Sequence, residues 1–113
     1  MPNSHRGEVA LTLGAARYTL CLTLGALADL EAAFGVEDLG AVVERFGSGR
    51  LSSRDVLTLL AVALRGGGHA LSDEAVAALP LPDGIEPVAQ ALADLLLATF
   101  GASPANPPRP QGA

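Results

Sequence analysis

The hydrophobic pattern along the chain changes its period once, near Thr23. Before that point, apolar residues alternate with small or polar ones in two runs: Val9, Leu11 and Leu13, then Tyr18, Leu20 and Leu22. A period of two is typical of strands with one buried face. The intervening "GAAR" supplies a short turn that begins at Gly14. The pattern therefore predicts a β-hairpin, which must lie against helices or another sheet because two strands alone are marginally stable in water.

After Thr23 the apolar residues recur every three or four positions, which predicts helices. The predicted apolar faces are Leu24, Leu27, Leu30 and Phe34; Leu39, Val42, Val43 and Phe46; Val56 to Leu64; a short run ending at Leu79; and Ile85, Val88, Leu92, Leu95, Leu96 and Phe100. The predicted fold class is therefore α+β, with an N-terminal β-hairpin followed by a small bundle of about five helices.

Capping residues and breakers delimit these helices. The predicted start signals are Thr23 for the first helix, Ser52 with Asp55 as a capping box for the third, Ser72 for the fourth, and Pro87 at the first position of the fifth. Gly35 is placed as a C-terminal stop of the first helix. "GSG" at 47–49 ends the second helix, and "GGG" at 66–68 is interpreted as a flexible stop of the third.

The third helix, "RDVLTLLAVALRG", is unusually apolar for so small a protein. At about 100° per residue, Arg54, Thr58 and Arg65 form one narrow polar stripe, and aliphatic residues occupy roughly 220° of the remaining circumference. Two interpretations stay open. The helix is either the buried centre of the bundle, covered by the faces of Leu27 and Leu92, or it leaves part of its surface to an apolar partner helix or a second copy of the chain.

Length and composition indicate one domain. The chain has 113 residues, of which 50% are hydrophobic, enough to bury a core. We predict a flexible N-terminus over 1–7, a single α+β domain over 8–101, and a disordered tail over 102–113. The tail, "ASPANPPRPQGA", has four prolines and no apolar periodicity.

Charge and hydropathy argue against several classes of partner. The net charge of −5, without a basic patch, argues against nucleic-acid binding. No uncharged run approaches the roughly 20 apolar residues that a membrane span needs. The N-terminal "MPNSHRGE" lacks the apolar stretch of a signal peptide. These features predict a cytoplasmic protein, in which the lone Cys21 is a small buried hydrophobe.

The residues capable of chemistry are scattered rather than clustered. Neither His5 nor His69 has another ligand at metal-binding spacing. "RGGGH" follows no strand and precedes no GK[ST], so it does not match a phosphate-binding loop. Ser52 and Ser53 lack a nucleophile elbow and a nearby histidine. We therefore predict no catalytic, metal or cofactor site, and a protein that is not an enzyme.

Four residues stand out as candidates for partner binding. Glu31 falls inside the apolar stripe of the first helix, where it either reaches water or Arg17 at the rim or contacts a partner. Leu97 lies on the polar side of the last helix, and with Leu79 and Leu81 it forms a predicted apolar patch suited to a partner helix.

Two segments carry a resemblance to a known family. "HRGEVALTLGAARYTLCLTLGALADLEAAFG" resembles the opening of small proteins encoded beside the tail genes of gene transfer agents and related phages, where a hairpin runs into an "L-x-x-L-A-x-[IL]-E" helix. "GRLSSRDVLTLLAVALRGGGHALSDEAVAAL" resembles their second half, although Ala63 replaces the usual glycine of a "GLRGGG"-like stop. The resemblance covers roughly residues 5 to 101.

The resemblance implies a role in building a siphophage-type tail. Such families are grouped with tail assembly chaperones, which bind the tape-measure protein and help tube subunits polymerise around it, and some are described as tail tube proteins. The expected function is therefore a non-enzymatic tail assembly chaperone. The alternatives are a structural tube component retained in the particle, or a regulatory module unrelated to phages. The resemblance brings no catalytic or binding residues with it.

Overall fold

A computed structural model describes residues 7–47 and 52–101. Its elements are β1 (Glu8–Leu13), β2 (Ala16–Cys21), α1 (Leu24–Phe34), α2 (Leu39–Gly47), α3 (Ser53–Gly66), α4 (Asp73–Ala77) and α5 (Glu86–Phe100). The predicted α+β class, a hairpin followed by five helices, is confirmed. Residues 1–6 of the predicted N-terminal segment, Ser48 and Gly49 of the "GSG" stop, and the predicted tail lie outside the described residues.

The hairpin is closed by a two-residue turn. Leu13 pairs with Ala16, which leaves Gly14 and Ala15 as the loop. Gly14 has φ +63°, and no non-glycine residue in the described part of the chain has a positive φ. A positive φ at the first loop position only is the geometry of a type II′ turn, which requires glycine there. The alternating residues Leu11, Leu13 and Leu20 are buried as the period of two predicts.

α1 begins and ends where its capping residues predict. The Thr23 hydroxyl accepts a hydrogen bond from the Ala26 backbone N–H at 3.1 Å, and Gly35 adopts the left-handed conformation with φ +66°. Leu27 and Leu30 are buried. The prediction for Leu24 is wrong, because this side chain is 80% exposed. It occupies the first position of α1, where no other element reaches over it to form a core.

α3 is enclosed along its second half. Six consecutive residues, 59–64, are buried, so this part of the helix has no solvent-facing side. The covering elements are β2, α1, α4 and α5. Leu27 and Leu92 are both buried, as predicted, but the pattern missed the hairpin as a main cover of α3. The first half of α3 differs: Arg54 is exposed, and Val56 and Leu57 are half-buried.

The end of α3 passes directly against the backbone of β2. A Cβ atom added to Gly66 would lie 2.0 Å from the Cys21 carbonyl oxygen, and one added to Gly67 would lie 1.8 Å from that of Thr19. Neither position has room for any side chain. The helix stops at these glycines as predicted, and Gly66 and Gly67 have a second role that the sequence did not indicate, because they are the contact surface between helix and strand. Only Gly68, with φ +99°, needs glycine for its backbone conformation.

His69 completes the cover of β2. Its Nε2 accepts a hydrogen bond from the Thr19 backbone N–H at 2.9 Å. The ring also contacts Tyr18 edge-on, with centroids 5.4 Å apart. The His69 N–H donates to the Leu64 carbonyl at 2.9 Å, which ties the segment back to α3. In this fold the role of His69 is to join the end of α3 to β2.

The boundaries of α4 and α5 differ slightly from those predicted. α4 ends at Ala77 rather than at Leu79, because Pro80 disfavours helical backbone in the residue before it and cannot continue the helix. α5 begins at Glu86, which puts Pro87 at its second position instead of its first. Both positions tolerate proline, since their N–H groups have no partner within the helix.

Candidate partner-binding groove

An open groove of about 460 Å³ lies between the first half of α3 and the segment that joins α4 to α5. It is lined by Ser52, Ser53, Val56, Leu57, Leu60, Ala77, Leu79, Leu81, Ile85 and Val88. None of these residues is charged, and the two serines are the only ones with a polar side chain. The Ser52 hydroxyl is already engaged, because it accepts the Asp55 N–H at 3.1 Å in the capping box of α3. The groove is therefore an apolar surface.

A proline-rich turn forms one wall of the groove. In "LPLPDG", the Gly84 N–H donates to the Leu81 carbonyl at 3.0 Å, which closes a four-residue turn with Pro82 at its second position. Proline suits that position because its fixed φ matches the turn. The turn leaves Leu81 at the rim, 45% exposed, whereas Leu79 is half-buried against the core.

Ile85 also lines the groove and is exposed at its rim. It is the N-cap residue of α5, and it makes no side-chain capping hydrogen bond. Because an N-cap residue precedes the first helical turn, its side chain is not drawn onto the buried face of the helix. Ile85 is 53% exposed, so its predicted place on the buried side of α5 is wrong. Leu60 and Val88 line the same groove and are buried, so they form its floor.

The rim has a thermodynamic consequence. Fully burying an aliphatic side chain of this size contributes about 1.5–3 kcal/mol of favourable free energy. Two half-exposed side chains therefore leave a substantial part of this free energy to be gained when a partner covers them. A single exposed leucine is ordinary, but adjacent exposed aliphatic side chains around an uncharged groove are typical of an interaction site.

The structure separates the predicted partner-binding residues. Leu79 and Leu81 line the groove together. Leu97 is 51% exposed, as predicted, but it lies outside the groove, about 18 Å along the α5 axis from Ile85 at 1.5 Å per residue. Glu31 is half-buried on α1, also outside the groove, and the described residues show no ion pair between it and Arg17. Partner binding by Glu31 stays a prediction. Because the predicted patch is divided, Leu97 and the pair of Leu79 and Leu81 are now alternative binding surfaces.

Three groove residues have the sequence spacing of core residues, so the pattern did not predict their exposure. Val56, Leu57 and Ile85 all fall on apolar helix faces, yet the structure leaves them half-buried or exposed. A signal was available for Ile85 alone: it stands immediately before the first turn of a helix that has Pro87 near its start, where periodicity no longer predicts burial.

A second, polar depression of about 650 Å³ runs along the other side of α3. Its wall includes the predicted polar stripe, Arg54, Thr58 and Arg65, together with Asp29 and Asp73. Arg65 pairs with Asp73 at 3.0 Å, which links α3 to α4 on the surface. Exposed pairs of this kind contribute little to stability, about 0–1 kcal/mol. The mixed charges give this depression no preference for an anionic or a cationic ligand.

Among the described residues, the structure shows neither a cluster of potential metal ligands nor a membrane-spanning helix. Across residues 7–47 and 52–101, no three His, Cys, Asp or Glu residues come close enough to hold a metal ion. Within the same ranges, no helix combines the length and hydrophobicity of a membrane span. His5 lies outside the described residues.

Comparison with known proteins identifies one family. A sequence profile described as "Phage tail tube protein, GTA-gp10" matches residues 6–102, which include every element of the fold. GTA denotes gene transfer agent, so the match confirms the resemblance carried by the hairpin, the first helix and the glycine-ended third helix. No curated protein matches the chain, and no solved structure matches it.

Proposed function

The chain belongs to the GTA-gp10 family of phage tail tube proteins, and from this premise we propose that it is a tail assembly chaperone. It binds an apolar helix of the tape-measure or tube protein in the groove between the first half of α3 and the segment that joins α4 to α5. A structural or assembly role in a phage-like tail follows from the family itself. The proposal adds a mode of action, in which the chain covers apolar surface of a tail protein before that surface is buried in the tail.

The groove is the observation that carries this proposal. It combines an uncharged lining with two exposed rim residues, Leu81 and Ile85, that face the same opening. An amphipathic helix binds such a groove by inserting the side chains of its apolar face. The role needs no reacting group, and we propose accordingly that the protein is not an enzyme and acts by binding alone.

Serine substitutions at the rim test the proposal. Leu81→Ser and Ile85→Ser are each expected to weaken binding of the purified tape-measure or tube protein of the same particle by about 1–2 kcal/mol, or roughly five- to thirtyfold. The reason is that each change removes one aliphatic contact from an apolar interface. Isothermal titration calorimetry measures the loss, and raising the salt concentration should change the affinity little because no charged group lines the groove.

Leu97→Ser supplies the matched control. It removes the same kind of side chain from a site of nearly equal exposure, 51% against 45% for Leu81. We expect Leu97→Ser to leave the affinity unchanged. If it weakened binding while both rim substitutions did not, the interface would lie on the solvent side of α5. A steep loss of affinity with salt would also contradict an apolar groove as the binding site.

A second candidate function is a structural tube component, which the family description "tail tube protein" favours directly. The two functions differ in where the protein is found after assembly. A chaperone is released, so quantitative mass spectrometry of purified particles should detect far fewer copies of it than of the major tube subunit. A copy number matching that of a ring-forming tube subunit would establish the structural role and exclude the chaperone.

A further inference from the structure

The two edges of the hairpin differ. β2 is closed, because the Thr19 N–H donates to His69 and the end of α3 lies against the Thr19 and Cys21 carbonyls. These contacts also reveal the orientation of the peptide groups. Thr19 pairs with Ala10, and the Thr19 N–H points away from β1, so this pair is not hydrogen-bonded across the hairpin. In an antiparallel ladder the N–H and C=O groups of both residues in such a pair point away from the partner strand.

β1 therefore presents an open edge. The N–H and C=O groups of Ala10 point away from β2, and those of Thr12 do the same because Thr12 lies two residues further along the same strand. No hydrogen bond to these four groups occurs anywhere in residues 7–47 and 52–101. Both residues are also solvent-exposed.

At Ala10 and Thr12 this edge lacks the sequence features that normally protect an open strand. Edge strands are usually blocked by proline, lysine, a bulge or a covering element. β1 contains no proline, its one charged residue is Glu8 at its start, and the pairing with β2 runs without a bulge. The fold thus closes the β2 edge with two glycines and a histidine, whereas at Ala10 and Thr12 the β1 edge presents peptide groups that no described residue engages.

We propose that β1 binds an extended segment of a partner tail protein as a third, antiparallel strand. The added strand would exchange four hydrogen bonds with Ala10 and Thr12. Its residues facing the same side as Val9 and Leu11 would be apolar, because that side of the hairpin faces the core. Those facing outward would be small or polar. This surface is distinct from the groove, so the inference goes beyond the proposed function.

A partner strand fits the edge better than a second copy of the chain. α5 packs against β1. Two copies joined antiparallel through β1 would place their β1 strands about 4.8 Å apart with both core faces on the same side. The two α5 helices would then approach each other closely, whereas packed helices need about 8–10 Å between their axes. A strand that carries no helix of its own avoids this clash.

The test uses a synthetic peptide with the sequence of residues 8–13, "EVALTL", acetylated, amidated and labelled with a fluorophore. Antiparallel pairing of its central alanine with Ala10 of the protein sets glutamate opposite Thr12 and avoids a like-charge pair. Fluorescence anisotropy against the whole protein measures the affinity.

We expect Ala10→Pro to weaken peptide binding by about tenfold, because it removes one backbone N–H donor and puts the proline ring at the strand edge. Ala10→Ser keeps the N–H group and should bind as the unchanged protein does.

N-methylated peptides test the same edge without altering the protein. In the proposed register the backbone N–H groups of the peptide's alanine and threonine point at β1. The N–H group of the leucine between them points away. Methylation of the alanine amide should abolish binding, and methylation of the intervening leucine amide should not. Equal affinity of the two methylated peptides, or no binding of the unmethylated peptide at millimolar concentration, would overturn the proposal.

Two further outcomes keep the inference separate from the proposed function. If the peptide does not bind but Leu81→Ser still weakens tail-protein binding, the strand-addition site is wrong and the groove remains the proposed binding site.

Sedimentation of the chain alone should show a monomer. A dimer that Ala10→Pro dissociates would show that a second copy occupies the edge, and would overturn the choice of a partner strand.

Discussion

Replacing Gly67 by alanine is expected to lower the free energy of unfolding by about 3 kcal/mol or more, enough to unfold a small domain of ordinary stability. The added Cβ would lie 1.8 Å from the Thr19 carbonyl oxygen, which is backbone and cannot rotate away. Relief of the clash requires α3 and β2 to separate, which breaks the hydrogen bond between His69 and Thr19. Urea denaturation followed by circular dichroism measures the effect.

Two other glycines supply controls for this result. Gly25 is exposed in α1, and an added Cβ would meet only the Thr23 hydroxyl at 3.9 Å, so Gly25→Ala should stabilise the helix by about 0.4–1 kcal/mol. Gly68 has open space around it but φ +99°, so Gly68→Ala should cost about 1–2 kcal/mol through its backbone alone. If Gly67→Ala behaved like Gly25→Ala, the close contact between α3 and β2 would be refuted.

Leu64→Asp is expected to abolish folding. Leu64 has no exposed surface and lies in the run of six buried residues in α3. A carboxylate there would be buried among apolar side chains without a partner, and the cost of desolvating an unpaired charge exceeds the stability of a small domain. Loss of the cooperative thermal transition, or recovery of the protein only from the insoluble fraction, is the expected observation.

Leu97→Asp is the matched control for the core substitution. It places the same charge on a leucine that is 51% exposed. The free energy of unfolding should change by no more than about 0.5 kcal/mol. A folded Leu64→Asp variant with an unchanged thermal midpoint would mean that α3 is not enclosed along its second half.

The groove and the β1 edge recognise different features of a partner. The groove offers aliphatic side chains around Leu81 and Ile85, whereas the edge offers peptide groups at Ala10 and Thr12. Neither depends on charge. An assembly protein that used both would bind a helix and an extended segment at once, and linking two weak contacts raises the overall affinity when both sites are reached together.

Element types and most boundaries were predictable from the sequence because they depend on local interactions. The period of two in the hairpin, the glycine in its turn, and the capping groups of Thr23 and Ser52 each involve residues within a few positions of one another. Local hydrogen bonding and side-chain spacing determine such features whatever the rest of the chain does. The family resemblance was recognisable for the same reason, because its sequence motifs consist mostly of core positions and helix caps, which depend on local spacing.

Which apolar residues form the core, and which form a surface, was decided by the tertiary structure. Leu24 and Leu27 share one helix face, yet only Leu27 has another element packed over it. Leu81 and Leu97 looked equivalent as exposed leucines, but the turn between α4 and α5 brings only Leu81 to the groove.

Tertiary structure also decided the role of the glycines at the end of α3. As a sequence, "GGG" indicates a helix stop, and that much was correct. That Gly66 and Gly67 leave no room for a Cβ follows from the approach of β2, which is more than 40 residues earlier in the chain. The sequence by itself determined the elements and most of their boundaries. Only the packing of those elements decided which glycines are contacts, which strand edge is open and which leucines face a groove, because burial depends on neighbours that are distant along the chain.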